Sequence, residues 1–117
     1  MHSFIDIEGI DSNQLKKILR FSAGLKADRK NINKGTKDFK KYLNNKVVAL
    51  LFKKPSTRTR FSFEVGIFQM GGVTITVSSN EMQLSNFESM SDTARVLSQY
   101  LDMVVIRTDN HSDLIDL

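Results

Sequence analysis

The chain has 117 residues, 40% of them apolar and 26% charged, which is the composition of one globular domain and not of a disordered chain. It has no Cys, so a disulfide frame and Cys-ligated zinc are excluded. The longest apolar run, residues 47–52, is far too short to span a bilayer. Asp6, Glu8 and Asp11 interrupt any signal-like start, so a cytoplasmic protein is expected. Residues 1–60 hold 15 Lys/Arg against 5 Asp/Glu (+10), and residues 61–117 hold 2 against 8 (−6), for a net charge of +4. A basic half suits an anionic partner, but Lys34, Lys37, Lys40, Lys41 and Lys46 also read as a solvated face. They lack the interleaved aromatics of a single-strand-binding surface, apart from Phe39 and Tyr42.

Asp11 can cap a helix, with Gln14 three residues on. Leu15, Ile18, Leu19 and Leu25 then recur at helical spacing, which predicts a helix over residues 12–29. Residues 30–45 are polar and read as a loop. The apolar run from Lys46 to Lys53 is bounded by lysines, as in a buried parallel strand, and Pro55 ends it. A second helix is expected over 56–70, stopped by Gly71 and Gly72. Residues 73–77 form a β-branched strand, and 78–87 a polar loop. Residues 88–101 are an amphipathic helix with Met90, Ala94, Leu97 and Leu101 on one stripe. A strand follows at 103–106, and 113–117 starts another helix. This alternation predicts an α/β fold, a parallel sheet with flanking helices in which a β-α-β-α-β core follows an N-terminal helix. Three strands are few for such a sheet, so the chain is expected to be the front part of something larger.

Open parallel sheets bind ligands beyond the carboxyl ends of their strands. The first strand leads there into Lys53, Lys54, Pro55, Ser56, Thr57, Arg58, Thr59 and Arg60, where the second helix begins. Free N–H groups, hydroxyls and a forked guanidinium at a helix start are what an anion site needs. The glycine spacing of a Walker loop is absent. The plainer reading is a Ser/Thr cap with Arg on a solvated face. Arg60 faces away from Arg58 and is expected to pair with Glu64. Arg95 reads as a structural ion-pair partner. Phe61, Val65 and Phe68 share helical spacing and are expected in the core.

The order Ser-Thr-Arg-Thr-Arg over 56–60, continuing to Glu64, Val65 and Gly66 and then Met70, Gly71 and Gly72, resembles the carbamoyl-phosphate motif of the aspartate/ornithine carbamoyltransferases. Two further blocks agree. Residues 88–98 look like the ornithine branch's helix after its mobile loop, and 102–107 like the strand ending in its phosphate-contacting Arg. The resemblance spans nearly the whole chain. It implies that Ser56, Thr57, Arg58 and Thr59 bind the phosphate of carbamoyl phosphate. Arg58, the catalytic candidate, and Thr59 also reach the carbamoyl oxygen, and Gln83 and Arg107 add further contacts. It implies transfer of the carbamoyl group to the δ-amine of ornithine, giving citrulline and phosphate in arginine metabolism. No metal or organic cofactor, no nucleic acid and no membrane is implied, and the partners are carbamoyl phosphate, ornithine and copies of the chain in a homotrimer or larger oligomer. Residues 1–117 would be an incomplete N-terminal carbamoyl-phosphate-binding domain, with the ornithine-binding domain and the family's His-Pro-x-Gln segment absent.

Two departures matter, one in the loop and the other the missing His-Pro-x-Gln segment and second domain. The stretch from Gln83 to Glu88 has no basic residue at 85–87, whereas the aspartate branch uses a loop Lys, which argues against aspartate as acceptor. The chain alone is expected to be inactive. Two alternatives stay open: a related carbamoyltransferase acting on aspartate, putrescine or an acylated ornithine, and a non-enzymatic module that binds anions or nucleic acid.

Overall fold

The computed structural model describes residues 9–52, 57–77 and 95–107. They fall into two compact units, residues 1–36 and 37–117.

The first unit holds α1 (Ser12–Asp28). Asp11 is its N-cap: the carboxylate accepts from the Gln14 N–H at 2.9 Å and satisfies one of the helix's unpaired first-turn donors. The last turn closes at Arg29, whose N–H bonds back to Lys26. No residue of α1 is buried, although Ile18, Leu19 and Phe21 are apolar.

The second unit is built on a three-stranded parallel sheet of β1 (Val47–Phe52), β2 (Val73–Val77) and β3 (Met103–Arg107), in the order β2-β1-β3. α2 (Thr57–Gln69) connects β1 to β2. β1 is central and buried from Val48 to Phe52, as its unbroken apolar run requires of a strand covered on both faces. Its side chains alternate between two clusters. Val48, Leu50 and Phe52 pack with Ile67 of α2 on one face, joined by Leu43 and Val105. Ala49 and Leu51 pack on the other face with Val77, Leu97, Leu101 and Ile106. Residues 95–98 are helical, so the stretch before β3 covers the face opposite α2. Of the expected helix over 88–101, residues 99–101 are turn and coil, not helix, and 88–94 lie outside the described residues, as does the helix expected to begin at 113.

α2 ends where the paired glycines predict. The Gly72 N–H bonds to the Ile67 carbonyl and the Gly71 N–H to the Phe68 carbonyl, both at 2.9 Å, which is a Schellman arrangement. Gly71 takes φ 90°, a left-handed conformation that a Cβ would strain, and that Cβ would also lie 2.9 Å from the Lys41 Cβ.

One expectation is overturned. Phe61, Val65 and Phe68 are not core: they are 51%, 47% and 42% exposed. α2 is apolar around most of its circumference, and only one face meets the sheet. Ile67 occupies that face and is the one buried residue of the helix. Arg95 stands exposed and makes no ion pair among the described residues, and the residues preceding it, 78–94, lie outside them.

Candidate functional site

The strand order defines where a ligand would sit. From β1 the chain crosses over α2 to β2 on one side, then returns past β1 to β3 on the other. The order therefore reverses at β1, and the crevice beyond the carboxyl ends of β1 and β3 is the switch point of the sheet. Phe52 and Arg107 are paired there as the last residues of their strands.

Register decides which way Arg107 faces. Partners across a parallel pair project to the same face, and Phe52 projects toward α2. Arg107 shares that side, and its Nη1 donates to the Thr59 Oγ1 at 3.0 Å. Two candidates that lie 48 positions apart are thus in direct contact. Thr59 is half-buried, while Thr57 and Arg58 are exposed in the first turn of α2. Ser56 and Gln83 lie outside the described residues.

The charge of that first turn is unusual. It contains no acidic residue, yet it carries Arg58 and Arg60. A helix N-terminus already presents unpaired N–H groups and roughly half a positive charge. Cations there are locally unfavourable, and an anion relieves the conflict. Arg60 has its own compensation, with Nε 3.9 Å from Glu64 Oε1 as the sequence predicts. Glu64 makes its shorter contact elsewhere: the Thr76 hydroxyl of β2 donates to the same oxygen at 2.7 Å. α2 is therefore tied by side chains to both edge strands, through Thr59 to β3 and through Glu64 to β2.

Sequence reasoning placed Thr59 and Arg107 in one site but did not foresee their contact, nor the Glu64–Thr76 bond. The signal lay in strand parity. Once residue 107 is aligned with residue 52 and residue 76 with residue 50, both side chains project to the α2 face. Among the described residues no group of three or more His, Cys, Asp or Glu is placed to hold a metal ion. No helix among them is long and apolar enough to cross a membrane.

Residues 2–117 match the family model for the aspartate/ornithine carbamoyltransferase carbamoyl-P binding domain. The chain belongs to the aspartate/ornithine carbamoyltransferase family. A curated ornithine carbamoyltransferase from Paracoccus denitrificans is 45% identical over all 117 residues, which are 38% of its own length. The family resemblance extends to structure. The ornithine carbamoyltransferase from Pyrococcus furiosus superposes with a TM-score of 0.87 at 32% identity, over 98% of this chain and 35% of that one. The anabolic ornithine carbamoyltransferase from Campylobacter jejuni superposes with a TM-score of 0.84 at 33% identity, over 99% of this chain and 35% of that one. The chain thus spans little more than a third of the relatives it matches.

Proposed function

We propose that residues 1–117 are the carbamoyl-phosphate-binding domain of an ornithine carbamoyltransferase. The observation that carries this reading is the junction of Arg107 with Thr59 beside a helix start that bears Arg58 and no acid. In the proposed site Ser56, Thr57, Arg58 and Thr59 hold the phosphate of carbamoyl phosphate, with Gln83 and Arg107 as further contacts. Arg58 and Thr59 also contact the carbamoyl oxygen. The neutral δ-amine of ornithine attacks the carbamoyl carbon, and the oxygen gains negative charge as the carbon becomes tetrahedral. Collapse breaks the bond to the phosphate oxygen and releases phosphate, and the amine's surplus proton is lost to give citrulline. Cations and N–H donors already in place stabilise both the oxyanion and the departing phosphate, so no reorganisation is needed in the transition state. Phosphate is a good leaving group, and the step calls on no metal or organic cofactor.

The names of the relatives support ornithine over aspartate as acceptor, as does the lack of a basic residue at 85–87. The proposal extends to a cytoplasmic homotrimer serving arginine biosynthesis. Two lysines of the basic half lie over their own aromatic rings, Lys37 over Phe68 and Lys40 over Tyr42, which weighs against a surface for stacked bases. The test is an acceptor panel on the whole protein that contains this sequence. Citrulline from carbamoyl phosphate and ornithine, without products from aspartate or putrescine, is expected. Turnover with another amine and none with ornithine overturns the assignment.

A further inference from the structure

We propose that Glu64 sets how tightly the start of α2 holds an anion: its carboxylate offsets the charge of Arg60 and keeps phosphate affinity below what the cations alone would give. This rests on the reading of that edge as the carbamoyl-phosphate site.

The charge balance of α2 comes first. The helix carries two cations, Arg58 and Arg60, both in its first turn, and a single carboxylate, Glu64, one turn further on. The positive end of the helix dipole adds to the cations. Such a field attracts the phosphate of the substrate and the phosphate released as product alike. Attraction common to the ground state and the transition state does not speed the chemical step. A carboxylate near the cations trims that common attraction and eases release of phosphate.

The geometry makes Glu64 a fixed charge and not one arm of a closed pair. Arg60 Nε stays 3.9 Å from Glu64 Oε1 and, though shielded from solvent, has no hydrogen-bond partner among the described residues. The carboxylate oxygen is committed instead to Thr76, whose hydroxyl donates to it at 2.7 Å. Thr76 stands opposite Leu50 in the register, on the face that α2 covers, so the sheet holds the carboxylate in place. The Arg60 guanidinium lies against the Phe61 ring, 5.1 Å from its centroid. Arg60 and Glu64 are both half-buried, which leaves their fields less screened than those of a solvated pair. One helical turn rises about 5.4 Å, which puts the carboxylate on the order of 10 Å from an anion at the helix start. A unit charge at that separation changes the affinity for a phosphate by about threefold.

The test is calorimetry with inorganic phosphate on the whole protein that contains this sequence, at about 0.01 M and about 0.5 M salt. Glu64→Gln keeps an oxygen for the Thr76 hydroxyl and loses the charge. It is expected to tighten phosphate binding about threefold at the lower salt. The gain should vanish at the higher salt, where screening acts within a few ångströms. Arg60→Met should weaken binding by a similar factor at the lower salt, and Thr76→Val, which leaves both charges in place, should change it little. Weakened binding in both Glu64→Gln and Thr76→Val marks Glu64 as a strut between α2 and β2 and overturns the inference. Tightening that persists at the higher salt overturns it as well. Unchanged affinity in Glu64→Gln, with Arg58→Ala still weakening binding about tenfold or more, overturns the role of Glu64 and leaves the site standing. Unchanged affinity in Arg58→Ala removes the site and this inference together. If Glu64→Gln fails to fold, Arg60→Met carries the decision, and an affinity equal to the parent's at the lower salt overturns the inference.

Discussion

Val47 and Asp102 bind each other in both directions: the Val47 N–H donates to Asp102 Oδ2 at 2.8 Å, and the Asp102 N–H donates to the Val47 carbonyl at 2.9 Å. The pair joins the entry of β1 to the entry of β3, at the end of the sheet away from the proposed anion site. Asp102→Ala leaves the Val47 N–H without its partner and should cost about 1 kcal/mol, the ordinary worth of a partly solvated hydrogen bond. Thermal melting checks the loss, and analogue affinity should not change. A shift in affinity would mean that the two ends of the sheet are coupled.

Arg58 should show opposite signs in stability and in binding. It lies exposed in a first turn that has no acidic residue. Arg58→Ala removes a cation from the positive end of α2, so the unliganded protein should gain about 0.3 kcal/mol. The same change should weaken binding of a phosphonate analogue by about 1.5–3 kcal/mol, as for a lost charge-assisted bond. Melting without ligand and calorimetry with it separate the two effects. Unchanged affinity would remove Arg58 from the site.

Inorganic phosphate should raise the melting temperature of the parent protein. A ligand at about 100 times its dissociation constant stabilises by about 2.7 kcal/mol. The shift should shrink in Arg58→Ala and in Arg107→Met. Chloride at matched ionic strength is the control, and an equal shift with chloride would mark the effect as general screening.

The apolar surface of α2 bears on association. Phe61, Val65 and Phe68 stand 42–51% exposed, and Phe63 is 38% exposed. Covering a side chain of this kind contributes about 1.5–3 kcal/mol. The 117-residue chain by itself should therefore self-associate and bind hydrophobic dyes. Phe61→Gln with Phe68→Gln should reduce both without lowering the melting temperature. Sedimentation of the parent as a monomer that takes up no dye would contradict this.

The reach of the sequence depended on how local each feature was. β1 was legible because an unbroken apolar run between lysines has few other uses, and all five residues from Val48 to Phe52 are buried. The cap at Asp11 and the stop at Gly71 and Gly72 were legible because each closes within a few residues of chain. Helical spacing showed that Phe61, Val65 and Phe68 belong together but not which side of α2 meets the sheet. On a helix apolar nearly all round, the contact face is chosen by the neighbouring strand, and Ile67 took it. The bonds from Arg107 to Thr59 and from Thr76 to Glu64 depend on the pairing register of β2 and β3 with β1. A single strand's sequence does not contain that register. The six candidate site residues were chosen by motif, and four of them, Thr57, Arg58, Thr59 and Arg107, fall within the described residues.

The central place of β1 constrains how this unit can open locally. β2 and β3 touch β1 and not each other. Releasing β1 would leave no sheet at all, whereas either outer strand can detach while the other pair survives. Sub-global opening therefore proceeds from the outside, and the two routes have different consequences. Loss of β2 spares the junction of Arg107 with Thr59, while loss of β3 carries Arg107 away and dismantles the proposed anion site with β1, α2 and β2 still assembled. A phosphate bound at the proposed site would resist only the second route. Amide exchange should then slow selectively along Met103–Arg107 when phosphate is added, with β1 the most protected strand in either state and Val73–Val77 little changed.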